Sequence, residues 1–147
     1  MAVRDRDFGY RDFFRTMRSG IGIQVQVGVH EDGGKPGRPD VAKLAVWHEF
    51  GTSKVPERSF LRSTLDENRS KYATLLQAAT QKALFGAKTL NGFKRLGHRI
   101  VFDVQRKISR RIPPPNAQST IDAKGSDIPL IDTGGLHTAI DYKVLVT

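Results

Sequence analysis

By type, His48 and Glu49 are the adjacent pair in this sequence best suited to acid–base or metal chemistry. A zinc-protease helix, however, places a second histidine four residues after the first, and position 52 is Thr. Neighbouring helical residues also point about 100° apart, so the two side chains do not converge on one ion. The alternative is structural: His48 continues an apolar stripe with Leu44, and Glu49 pairs with an arginine such as Arg58. His30, His98 and His137 are scattered over a strand end, a helix and a turn, so they do not gather into a ligand set. Gly33-Gly34-Lys35 lacks the leading glycine and trailing hydroxyl residue of a phosphate loop. Asp132-Thr133-Gly134 occurs once, so a protease site would need a dimer to supply a second Asp; the surrounding Leu130–Leu136 reads equally well as a capped turn. No acid, base and nucleophile converge, and the expectation is a protein that is not an enzyme, with no catalytic residue, cofactor or metal.

The elements that must carry these residues follow from periodicity. Phe8, Tyr10, Phe13, Phe14 and Met17 suit a short amphipathic helix over 4–18. From Ile21 to Val29 apolar residues alternate with Gly22, Gln24, Gln26 and Gly28, the pattern of a half-buried strand. Residues 31–39 form a Gly/Pro-rich flexible loop. Asp40 caps a helix through Val41, Leu44, Ala45 and His48, which Gly51 ends in the left-handed conformation. Leu61, Leu65, Tyr72, Leu75, Leu76, Ala79 and Ala83 predict one helix over 60–84, about 38 Å long, broken by Gly86.

Between 89 and 111, Phe93, Leu96, Ile100, Val101, Val104 and Ile108 fall within an arc of about 140° and predict a second long helix. Pro113-Pro114-Pro115 stops it, and 113–128 follows as a second flexible loop. Asp132 and Thr133 cap a short turn of helix to Ile140, and 141–147 is a β-branched strand with Tyr142, Val144 and Val146 on one face. Strands and helices do not alternate, so the fold class is α+β: one domain over 1–147, a small antiparallel sheet packed against two long helices, with a short N-terminal helix.

The chain has 147 residues, no cysteine and a formal charge of +9. Disulfides and thiolate zinc sites are therefore excluded, and assembly in a reducing cytoplasm is expected. The N-terminus lacks the apolar run of a signal peptide, and no stretch of roughly 20 apolar residues predicts a membrane span. Seven Lys or Arg stand against one Asp between Gly92 and Pro115, two-thirds of the excess charge. In helical projection Arg95, Arg99, Arg106 and Arg110 gather opposite the apolar stripe. That face is either solvated or set against an acidic partner, or it meets phosphates, which require only charge and reach. With no aromatic interleaving expected there, stacking on single strands is not.

Two blocks of sequence carry a resemblance. Leu44-Ala45-Val46-Trp47-His48-Glu49-Phe50-Gly51-Thr52, followed by Val55-Pro56-Glu57-Arg58-Ser59-Phe60-Leu61-Arg62, resembles small tail-completion and neck proteins of long-tailed bacteriophages, relatives of the lambda minor tail protein Z. Pro114-Pro115-Asn116, Lys124-Gly125 and Pro129-Leu130-Ile131-Asp132-Thr133-Gly134-Gly135-Leu136 are similar to a second block of that family. Ser59 stands where the family often has proline, and 31–39 matches no family pattern. The resemblance implies a structural virion protein that assembles in the host cytoplasm into a ring, of six copies, at the head–tail neck or tail-completion interface. Its partners would be itself, other neck, connector or tail proteins and passing genomic DNA, without a membrane. Phe60, Leu61, Arg58 and Arg62 would serve contacts between subunits or neighbours, although Phe60 and Leu61 also suit a plug for the sheet. The alternative is a basic DNA-binding protein acting through the 92–111 helix, with Arg95, Arg99, Arg106 and Arg110 facing DNA or an acidic partner.

Overall fold

The alternating run near the start of the chain forms strand β1 (Ile23–Val29). In the computed structural model, which describes residues 22–29, 40–84, 90–131 and 134–146, the elements that follow are helices α1 (Val41–Phe50), α2 (Leu61–Glu67), α3 (Arg69–Leu84), α4 (Asn91–Ile108), α5 (Gln118–Lys124) and α6 (Gly135–Thr138), then strand β2 (Ile140–Val146). The architecture is α+β. β1 and β2 pair antiparallel with Val25 opposite Val144, Val27 opposite Tyr142 and Val29 opposite Ile140. Gln24 and Gln26 lie exposed, as period-two alternation requires.

A ribbon of two strands is marginal in water and needs a helix over one face. α4 supplies it. Phe93, Leu96, Ile100, Val104 and Ile108 are buried along one stripe, and the helix packs on both strands. The approach is close at Gly97, where a Cβ would lie 2.2 Å from the Tyr142 ring. The His98 ring meets the same tyrosine edge-on at 4.6 Å.

Only one of the two expected long helices covers the sheet; α3 packs against α4 instead. Gly92 and Ala79 mark their close approach, and Tyr72 and Ala79 are the buried residues of α3. The single helix predicted over 60–84 is in fact two. Asn68, with φ −112° and ψ 11°, leaves helical geometry, and its side-chain amide donates to the Thr64 carbonyl at 2.9 Å. The predicted stripe holds at Tyr72 and Ala79, which are buried, but Leu65, Leu75 and Leu76 are exposed, and Thr64 is buried instead of Leu65.

Asp103 of α4 ties the helices together. Buried itself, it accepts from Lys71 at 2.6 Å, from the Tyr72 hydroxyl at 3.0 Å and from Arg99 at 3.2 Å. Burial pushes its carboxyl up, but the Lys71 and Tyr72 hydrogen bonds outweigh that and hold it below the usual range. Burial, then the neighbouring Asp103, pushes the Tyr72 phenol well up.

The 113–128 stretch, expected as a loop, contains α5, with an i,i+4 bond from Gln118 to Asp122 at 2.8 Å and Gly125 at φ +67° as its left-handed stop. Gly51 ends α1 at positive φ as predicted, but its ψ of 168° lies outside the left-handed helical region. There its backbone fits against that of Glu57. The Asp40 cap is formed, its carboxylate accepting from the Ala42 N–H at 3.2 Å. The helix predicted over 4–18, the loop 31–39, the break at Gly86 and the caps at Asp132 and Thr133 fall outside the described residues. No helix among the described residues is long and apolar enough to cross a membrane.

Candidate functional site

The candidate site is the turn between α1 and α2, where the first sequence block folds on itself. A helix N-terminus leaves its first N–H groups without partners. At α2 a single carboxylate serves them. Glu49, the penultimate residue of α1, accepts from the backbone N–H of Phe60 at 2.8 Å, of Leu61 at 2.9 Å and of Arg62 at 2.9 Å. The Ser59 hydroxyl donates to it at 2.7 Å and the Arg62 guanidinium at 3.1 Å. Burial raises the Glu49 carboxyl, yet the donors from Arg62, Leu61, Ser59 and Phe60 prevail and hold it below the usual range. The proximity of a helix N-terminus acts in the same direction.

The Ser59 hydroxyl donates to Glu49 and accepts from the Ser63 N–H at 3.3 Å. Arg62 also reaches back to the Glu49 carbonyl at 3.0 Å and to Glu57 at 2.7 Å, with its guanidinium 4.8 Å from the Phe50 ring centre. Thr52 shapes the hinge, accepting from the Val55 N–H at 3.0 Å.

Glu49 pairs with a neighbouring arginine, as expected, but with Arg62 rather than Arg58. Arg58 turns the other way, its guanidinium donating to the Pro114 carbonyl at 2.8 Å and the Pro115 carbonyl at 3.2 Å. It is 5% exposed, and its own N–H donates to the His48 carbonyl at 2.7 Å. Arg58 thereby joins the first sequence block to the start of the second. Sequence reasoning singled out Arg58 but not its target 56 and 57 residues away. It also passed over Ser59 and Pro114–Asn116 as members of one network.

Of the four residues assigned to subunit contacts, Phe60 is fully buried and joins the core with Ala45, Tyr72 and Ile108. Arg58 is buried, Leu61 half-buried, and Arg62 exposed. His48 is held neutral-leaning, its pKa lowered by burial and then by Arg58 and Lys124. Among the described residues no group of three or more His, Asp or Glu is placed to hold a metal.

On α4, Arg95, Arg99 and Arg106 share one exposed face, while Arg110 lies past the end of the helix. Arg99 is paired with Asp103 at 3.2 Å. An aromatic residue does interleave that face, contrary to the sequence expectation: Phe102 is 53% exposed, with the Arg99 guanidinium 5.7 Å from its ring centre. Compared with protein families, curated proteins and solved structures, the chain matches none.

Proposed function

We propose that this chain is a non-enzymatic structural protein of a tailed-phage virion, a subunit that closes into a ring, of six copies, at the head–tail neck or tail-completion interface. The observation that carries the reading is the use made of the two resembling blocks. Glu49, Ser59 and Arg62 spend their polar groups on one turn, and Arg58 spends its own on Pro114 and Pro115. Such residues hold backbone in register, as a building block requires. Ring closure needs only a heterologous contact repeated around an axis. Assembly in the host cytoplasm, contacts with neck, connector or tail proteins, and passage of genomic DNA through the ring belong to the same proposal.

The test is mass photometry and negative-stain imaging of the purified chain, alone and mixed with tails. A closed ring, or decoration of one tail end, is expected. A monomer that ignores tails, or parent virions that lack the polypeptide, would overturn the proposal.

A second reading, DNA binding through α4, is favoured by one observation: exposed Phe102 among Arg95, Arg99 and Arg106 combines a stacking surface with phosphate-reaching charge. Tight, steeply salt-dependent binding by the monomer would favour it over the ring.

A further inference from the structure

Between α1, the turn after it, the segment 115–117, α5 and α6 lies a cavity of about 550 Å³. Its size is that of a small-ligand site. Val41, Leu44, Val55, Pro56, Leu130 and Leu136 provide apolar walls. Three cationic side chains, Lys54, Arg58 and Lys124, line it as well, and no carboxylate does so among the described residues.

Several cations elsewhere in the molecule are answered by carboxylates. Lys71 and Arg99 have Asp103, Arg62 has Glu49 and Glu57, and Arg111 has Asp127. Arg58 and Lys124 instead rest on neutral oxygens: Arg58 on Pro114, Pro115 and the Asn116 amide, Lys124 on the carbonyls of Ile128 at 3.3 Å and Pro129 at 3.2 Å. Carbonyl dipoles orient a buried cation without neutralising it, so its charge remains available to an anion. On two other lining residues, the buried atoms His48 Nδ1 and Asn116 Nδ2 have no hydrogen-bond partner among the described residues. Buried polar atoms normally have one.

We propose that this cavity binds a carboxylate carried on a small apolar body, with Lys54, Arg58 and Lys124 facing the charge and the aliphatic walls enclosing the rest. A free aliphatic acid and the C-terminal carboxylate of an apolar peptide share this chemistry. The inference is independent of ring assembly.

The experiment is an NMR titration of the full chain, labelled at Val and Leu methyls, with hexanoate, hexanol and inorganic phosphate at neutral pH. Hexanoate should move the methyls of Val41, Leu44, Leu130 and Leu136 saturably, at least tenfold more tightly than hexanol or phosphate. Lys54→Gln, an exposed position, should weaken hexanoate several-fold with an unchanged spectrum elsewhere. Lys124→Gln should do so more strongly, its fold checked by the same spectrum. A peptide ending in a free leucine carboxylate, compared with its amide, assigns the source: tighter binding than hexanoate points to a peptide terminus, weaker binding to a free acid. Equal binding of hexanol, equal binding of phosphate, no binding of either carboxylate, or indifference to both lysine substitutions would each overturn the proposal.

Discussion

Glu49 carries more of the local structure than any other side chain in the turn. Its carboxylate serves three backbone N–H groups, a hydroxyl and a guanidinium at once. In Glu49→Gln one oxygen becomes an NH₂ that faces other donors, so buried N–H groups lose their acceptor. The expected cost is about 3 kcal/mol, read as a lower urea midpoint at unchanged slope. The effect has a pH signature. The carboxyl titrates lower in the folded chain than in the unfolded one, so between those two values the unfolded chain holds more protons. Glu49 therefore stabilises the fold above the ordinary carboxylate range and loses that effect as pH falls through its lowered value. Asp103 acts with the same sign. Midpoints measured from neutral to acid pH should fall for the parent chain and fall less steeply for Glu49→Gln; an equally steep fall would mean that the carboxylate is not held as described. Phe60, by contrast, acts through packing. Phe60→Ala should cost about 3–5 kcal/mol, so loss of a ring in that variant would report unfolding rather than a broken contact.

At the scale of elements, the approach of α4 to β2 makes a sharper test than any single loss. Alanine is favoured over glycine in a helix by about 1 kcal/mol, yet a Cβ at Gly97 would lie 2.2 Å from the Tyr142 ring. Gly97→Ala should therefore destabilise by about 1–2 kcal/mol, and should become neutral or stabilising in a Tyr142→Ala background. Additive effects in that cycle would mean that the two residues do not touch. The elements most legible in the sequence were β1 and α4, where alternation or a helical stripe coincides with burial, and α1, which Asp40 and Gly51 bracket. α3 misled because Leu75 and Leu76 keep helical spacing while lying 39% and 43% exposed. Periodicity reports which residues share a face and not which face is covered. Accordingly Leu75→Gln with Leu76→Gln should shift stability by less than about 1 kcal/mol in thermal melts, whereas Tyr72→Ala, which empties a buried site and removes one of the three donors to Asp103, should cost several times that. α5 was missed because its seven residues carry no buried side chain and hence no stripe, although Gly125 marked its end. In the candidate site the residue types were visible, but their partners were not. Glu49 reaches 10 to 13 residues ahead and Arg58 reaches 56 or more, distances that no local pattern encodes.

For the whole molecule, the charge of +9 bears on both readings of function, and the structure separates its parts. Arg99 is held by Asp103, Lys107 by Glu67 and Arg111 by Asp127, so these cations are partly neutralised before any partner arrives. Arg95 and Arg106 make no such pair among the described residues and stand on the exposed face of α4 with Phe102 between them. A surface of this kind attracts duplex DNA through counterion release, each phosphate contact adding about 0.9 to the slope of log affinity against log salt. In Arg95→Gln with Arg106→Gln, that slope should fall by about 2, whereas Arg99→Gln should change it less while lowering stability through Asp103. If the chain is a ring subunit whose basic face meets DNA in passing, the double variant keeps the particle mass of the parent under mass photometry. Loss of the ring together with the slope would place Arg95 and Arg106 in the subunit contact, where an acidic neighbour rather than nucleic acid answers their charge.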